Sequence, residues 1–327
     1  MNNTAYNPPS NTPKVQYLNI DEDIAGQRID NFLLTKLKGA PKSLIYRIVR
    51  KGEVRVNKGR IKPEYKLKAG DVVRVPPVRL AEKSEIKKPG NSLIELLNKA
   101  VAYEDESILV INKPSGLAVH GGSGIQLGLI ESLRQVREGD KFLELVHRLD
   151  RDTSGCIMVA KSRRSLRFMQ QQLREKQINK VYQALVFGRW AKRCNKIDVA
   201  LLKNQLPSGQ RMVRAVEEST EGAKASLTRF KILENYLDCT LVEAKPITGR
   251  THQIRVHSQY AGHGILGDDK YGDPEQKVVM KKIGLKRLFL HARRLDFKDA
   301  NGQKVTVETP LSQELQKVLD KLDTHDK

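Results

Sequence analysis

Two rhythms of apolar residues run along the chain. Between residues 41 and 52 the spacing is helical: at about 100° per residue Leu44, Ile45, Ile48 and Val49 share one face, with Tyr46, Arg47 and Arg50 opposite. Pro41 suits the first turn of this helix and Gly52 its end. The rhythm then changes to alternation at Val54 and Val56, a turn at Asn57-Lys58-Gly59, a second turn at Ala69-Gly70-Asp71 and the run Val72-Val73-Arg74-Val75. From residue 101 to about 310, apolar runs of strand length at 108–111, 156–160, 181–187 and 237–244 alternate with helical stretches at 165–176 and 251–260. A last helix is expected at 311–322. Both periods occur without a regular βαβ repeat, which predicts an α+β fold over a doubly wound sheet.

The pattern also sets boundaries. Residues 1–13 are Asn- and Pro-rich, uncharged and without an apolar core. They read as a disordered leader and not a signal peptide, with a first strand following before residue 25. Residues 26–79 form a small domain, 80–100 a Lys/Glu- and Pro-Gly-containing linker with a short helix around 93–97, and 101–327 the main domain.

Charge changes the picture. The chain of 327 residues carries 59 Lys and Arg against 38 Asp and Glu, a formal +21. Residues 26–79 alone hold 15 Lys and Arg against 4 Asp and Glu. Such concentration points to a polyanionic partner, nucleic acid before membrane, because no apolar run approaches the roughly 18–20 residues that cross a bilayer. Three cysteines at long spacing argue against a disulfide framework or zinc ribbon and for a cytoplasmic protein. Lys42, Arg47, Arg50, Lys51 and Arg55 are the candidate nucleic-acid contacts, although a charge run is also what an ordinary solvated face looks like. The ordered pieces Arg28-Ile29-Asp30, Ser43 to Arg50, Lys51-Gly52-Glu53-Val54-Arg55-Val56-Asn57 and Lys68-Ala69-Gly70-Asp71 resemble the S4 RNA-binding domain.

The densest reactive cluster is His147-Arg148-Leu149-Asp150-Arg151-Asp152-Thr153-Ser154-Gly155, a polar nonapeptide entering an apolar run. It suits either a site on a loop or an Arg/Asp network tying that loop to a sheet. Asp150 and Asp152 stand too close on an extended segment to flank a glycosidic bond, so one carboxylate acting as nucleophile fits better than an acid/base pair. A second cluster, Thr248-Gly249-Arg250-Thr251-His252-Gln253-Ile254-Arg255-Val256-His257, reads as a helix start with Thr248 as its cap. His252 and His257 lie about 140° apart on a helix and cannot share a metal, so no metal is expected. Arg255 is of the type that holds a buried carboxylate ionised, or forms a purely structural ion pair. Lys113-Pro114-Ser115-Gly116 is a turn by its chemistry, and Tyr182 reads first as an ordinary strand aromatic.

In order, Asn112 to Gly116, His147 to Gly155, Lys180 to Tyr182 and Thr248 to His257 resemble the successive motifs of the pseudouridine synthases of the large-subunit ribosomal RNA family. Residues 119–124 and Leu266-Gly267-Asp268-Asp269-Lys270-Tyr271-Gly272 are in keeping. The resemblance implies an S4-type domain followed by a mixed, mainly antiparallel sheet. It implies Asp150 as catalytic nucleophile, Arg255 as its partner, Tyr182 stacked on the uracil and available as a base, and Arg148 entering the base stack. Lys113 joins the expected RNA contacts. No cofactor is implied, and the expected partner is 23S ribosomal RNA or a large-subunit assembly intermediate, bound by a monomer. A transfer-RNA pseudouridine synthase and a non-catalytic ribosome-assembly factor are the rival readings. An S4-bearing methyltransferase is disfavoured, since no acidic partner follows Gly121-Gly122-Ser123-Gly124 in a strand-to-helix pattern.

Overall fold

The computed structural model describes residues 14–37, 39–78, 89–121, 127–205 and 211–322. The expected leader, the Gly-rich stretch 122–124 and residues 80–88 of the expected linker lie outside these residues. The chain divides into two compact units, Met1–Ile86 and Lys87–Lys327.

In the first unit, β1 (Gln16–Asn19), α1 (Ile29–Lys36), α2 (Lys42–Arg50), β2 (Arg55–Val56), β3 (Gly59–Arg60) and β4 (Val72–Val75) give two helices and a sheet of order β1-β4-β2-β3. Ile45, Ile48 and Val49 of α2 are buried with Ile29, Phe32 and Leu33 of α1 in one core. Pro41 stands at the N-cap of α2, and Gly52 follows the helix at φ +71°. Asn57 and Lys58 both take positive φ, 49° and 68°, the conformation a two-residue hairpin turn demands. Asp30 accepts from Arg28 and from the Tyr46 hydroxyl, joining the two helices.

The second unit runs α3 (Asn91–Lys99), β5 (Val101–Glu104), β6 (Ile108–Lys113), α4 (Leu129–Val136), β7 (Glu144–Leu145), β8 (Ser154–Ala160), α5 (Arg163–Arg174), β9 (Asn179–Phe187), β10 (Lys196–Asp198), β11 (Ala200–Gln205), β12 (Arg211–Val216), β13 (Leu227–Asn235), β14 (Cys239–Pro246), α6 (Gln253–Tyr260), α7 (Gln276–Ile283), β15 (Leu290–Lys298), β16 (Lys304–Glu308) and α8 (Gln313–Leu319). The helix expected inside the linker is α3, and Leu97 buries it in the core of this unit, so the linker ends earlier than the sequence suggests.

One large sheet has the order β10-β13-β14-β9-β15-β8-β6-β5, with β16 on β15 and β7 on β8. Its pairs are antiparallel except β15 with β8, where His291 faces Ser154 and Ala292 faces Gly155. β8 is buried throughout and β6 over its apolar run Ile108 to Ile111, the continuous pattern expected of a covered central strand. Gly155 sits at φ +106° where an added Cβ would lie 2.3 Å from the Ala292 carbonyl oxygen. Only glycine permits so close a strand approach at the end of the polar nonapeptide.

Candidate active site

Residues 146–153 form the loop between β7 and β8 that carries Asp150. Its entry is fixed by His147, whose Nε2 accepts from the Met158 amide at 3.2 Å. Burial, with Lys180 nearby, pulls this imidazole down to about 3, so it serves as a neutral acceptor. Its exit is fixed by Lys113. The sequence places Lys113 among the RNA contacts, and the structure corrects this: the side chain is fully buried. Its ammonium donates to the carbonyls of Pro114 (2.8 Å), Leu117 (2.9 Å) and Arg151 (2.9 Å). Ser115 Oγ adds a bond to the Asp152 carbonyl at 2.7 Å, and the Gly116 amide one to Arg151 O at 2.9 Å. The Lys-Pro-Ser-Gly turn is thus a clamp on the residues just after Asp150. Burial draws the Lys113 ammonium down to about 7, partly offset by Asp152 and Asp150. Asp152 is turned aside to Arg151 at 3.0 Å, leaving Asp150 as the carboxylate that faces the cleft.

Asp150 borders a cleft of about 490 Å³ lined also by Arg148, Lys180, Tyr182, Leu290 and residues 246–255. On the far side α6 supplies Arg255. Its strongest partner is Asp268 and not Asp150: Nε and Nη2 bind the two Asp268 oxygens at 2.7 and 2.6 Å, both groups being buried. This two-pronged pairing locks the guanidinium plane. The remaining nitrogen, Nη1, stands 3.6 Å from Asp150 Oδ2. Asp268 is itself held by the amides of Lys270 and Tyr271 at 2.9 and 3.1 Å. The Asp268 and Asp150 charges raise the Arg255 guanidinium above its ordinary value in spite of burial, so it is a permanent cation beside Asp150.

Tyr182 lies on β9, opposite Ala292 of β15 and Ala244 of β14. Burial and the neighbouring Asp150 raise its phenol above the ordinary range. The ring is therefore a neutral phenol on the cleft wall, an apolar face with a polar tip. Arg148 is exposed at the mouth. Arg174, Lys176 and Arg250 also line the cleft and are exposed. In the sequence, basic residues at a helix end or in a turn look like ordinary solvated charge and carry no signal of a site. Together they make a cationic rim suited to a phosphate backbone.

Three separated stretches line the cleft with Asp150 and Arg148, Tyr182, and Arg255, and a fourth, Asn112 to Gly116, clamps the Asp150 loop. The start of α6 differs from the expected one. Thr248 is not its cap but accepts from the Leu227 amide and donates to Gln253 Oε1, and the helix begins after His252, which takes a left-handed φ of 52°. His252 belongs to the site, whereas His257 is buried against Ser226 Oγ at 2.8 Å. Asp268, Tyr271 and His252 are the site residues that motif reading left without a role. In the first unit Lys42, Arg47, Arg50, Lys51 and Arg55 are all exposed.

The RNA pseudouridylate synthase family model matches residues 107–260, and the S4 domain model matches residues 27–73. The ribosomal large subunit pseudouridine synthase C of Pasteurella multocida is 58% identical over 308 residues, 93% of each chain. The protein of the same name from Escherichia coli K12 is 55% identical over 315 residues, 95% of this chain and 98% of the relative. Among solved structures, human RNA pseudouridylate synthase domain containing 4 superposes with a TM-score of 0.60 at 27% identity, over 72% of this chain and 97% of its own.

Proposed function

This chain belongs to the large-subunit ribosomal RNA pseudouridine synthases, and from that membership we propose that it isomerises uridine to pseudouridine in 23S ribosomal RNA with Asp150 as nucleophile. The reaction breaks the N1–C1′ bond, turns the uracil and joins C5 to C1′. A proton leaves C5 and one is taken up at N1, so no redox cofactor or energy source enters the balance. The observation that carries this reading is the Asp150 carboxylate on the cleft wall with a fixed cation 3.6 Å from one of its oxygens.

The target base must leave its stack, at a cost of a few kcal/mol, before a carboxylate in a cleft can reach it. Arg148, exposed two residues before Asp150, fills the vacated place in the stack. Tyr182 packs against the extruded uracil, a role its half-buried ring on the cleft wall supports. Lys42, Arg47, Arg50, Lys51 and Arg55 bind phosphates and hold the RNA without choosing the uridine. The enzyme works as a monomer in the cytoplasm on 23S RNA or an assembly intermediate, and at more than one uridine. The names of the relatives favour large-subunit RNA over transfer RNA and catalysis over a purely structural assembly role.

Asp150→Asn tests the assignment. Pseudouridine formation, followed as tritium release from 5-tritiated uridine in 23S RNA, is expected to vanish while RNA affinity stays within a few-fold. Substantial turnover by the variant would remove Asp150 from the role.

A further inference from the structure

His252 stands between Asp150 and Tyr271. Its Nδ1 lies 2.7 Å from the Tyr271 hydroxyl, and its Nε2 lies 3.9 Å from Asp150 Oδ2. The Tyr271 oxygen is engaged on its other side by the backbone amide of Val213, on β12, which donates to it at 3.1 Å. An amide hydrogen cannot be turned round. With one lone pair engaged by Val213 and His252 Nδ1 the only acceptor found for its hydrogen among the described residues, the tyrosine hydroxyl donates to His252 Nδ1. The imidazole proton then resides on Nε2, the nitrogen that faces the carboxylate.

Oδ2 of Asp150 thus meets two groups, Arg255 Nη1 at 3.6 Å and His252 Nε2 at 3.9 Å. Both face the same oxygen. We infer that His252 is a positioning residue: as the Nε2–H tautomer, fixed through Tyr271 by the Val213 amide, it holds Oδ2 of Asp150 together with Arg255 and leaves Oδ1 to the target nucleotide. The other tautomer would present a lone pair to the carboxylate and repel it. A separation of 3.9 Å is longer than a hydrogen bond, as contacts of catalytic groups are before substrate closes the site. The groups facing the ring are Asp150, Arg255, Lys270, Asp268 and Tyr271. Burial, helped by Arg255 and Lys270, lowers its pKa in spite of Asp150 and supports the neutral form.

The inference rests on Asp150 being the nucleophile. The left-handed backbone at His252 supplies a purely structural alternative, and two variants separate them. Asparagine is among the residues that tolerate this backbone best, but its short amide occupies the place of Nδ1 and cannot reach Asp150. Glutamine fits the backbone less well and carries its amide nitrogen to the place of Nε2. In single-turnover reactions with a saturating 23S RNA fragment, His252→Gln is expected to isomerise uridine at least about fivefold faster than His252→Asn, with equal RNA affinity. If Asn matches or exceeds Gln, His252 acts only through its backbone and the inference falls.

The tautomer gives a readout independent of activity. Nitrogen-15 spectra of histidine-labelled full-length protein should show His252 protonated on Nε2 in the wild type and no longer held in that form in Tyr271→Phe. A wild-type ring protonated on Nδ1 would overturn the inference. Should the wild type form no pseudouridine at all, the parent reading fails instead, and the spectra still decide the tautomer.

Discussion

Replacing Lys113 by methionine gives the sharpest test of how the Asp150 loop is held. The ammonium donates to three carbonyls in a fully buried setting. Removing it leaves the Pro114 and Leu117 carbonyls without that donor, while Arg151 O keeps its bond from the Gly116 amide. Each deserted buried carbonyl costs about 1–3 kcal/mol. Against this, the wild type bears the cost of a desolvated cation, visible in the drop from 10.5 to about 7. Between those two values the unfolded chain binds more protons than the folded one, so the contribution of this group to stability rises with pH from about 7 towards 10.5 and is flat below. Integrated from about pH 6.5 to 9.5, the gain is about 3 kcal/mol. Urea unfolding of wild type and Lys113→Met at both pH values, followed by the fluorescence of Trp190, the single tryptophan and a residue of the second unit, isolates it. Wild type should gain about 3 kcal/mol over the variant between the two pH values. A difference between the proteins that stays constant within about 0.5 kcal/mol across the range would refute the reasoning, since that is the usual spread of a surface substitution.

Two further outcomes are expected. Asp268→Asn keeps the shape but weakens the pairing that locks Arg255, and should lower the single-turnover rate by about 10–100-fold, some 1.4–2.8 kcal/mol, with RNA affinity unchanged; an unaltered rate would show that Arg255 needs no such anchor. Alanine at Arg47, Arg50 and Lys51 together should weaken RNA binding and flatten its salt dependence by up to about 0.9 per lost phosphate contact. An unchanged slope would move the RNA anchor away from this helix.

Much of the fold was legible where a residue's surroundings are set by its neighbours in sequence. The amphipathic α2, with its apolar face at Ile45, Ile48 and Val49, and the buried runs of β6 and β8 follow from period and apolar content alone. Lys113 was misread for a physical reason: a lysine after a strand is exposed in most settings, and its three acceptors come partly from Arg151, 38 residues away. Arg255 stands 3.6 Å from Asp150, but its tighter partner, Asp268, lies in a motif whose role no local pattern states. His252 was dismissed as a metal ligand on helical geometry, yet it sits just outside the helix in a left-handed conformation, where that geometry does not apply. Spacing shows which residues share a face; it does not show which of several carboxylates an arginine chooses.

The place of β15 has a consequence for how the enzyme is made. Tyr182 is on β9 and the Asp150 loop leads into β8, but these strands are not neighbours; β15, residues Leu290–Lys298, lies between them and bonds to both. During synthesis the first unit can fold as soon as it emerges, since its sheet is closed by residue 75. Asp150 and Tyr182 are both translated more than a hundred residues before the strand that brings them into register. A nascent chain stalled before residue 290 would therefore carry a finished first unit but lack the strand that sets Asp150 against Tyr182. Modification is expected only once β15 has emerged, when nearly the whole polypeptide has been translated.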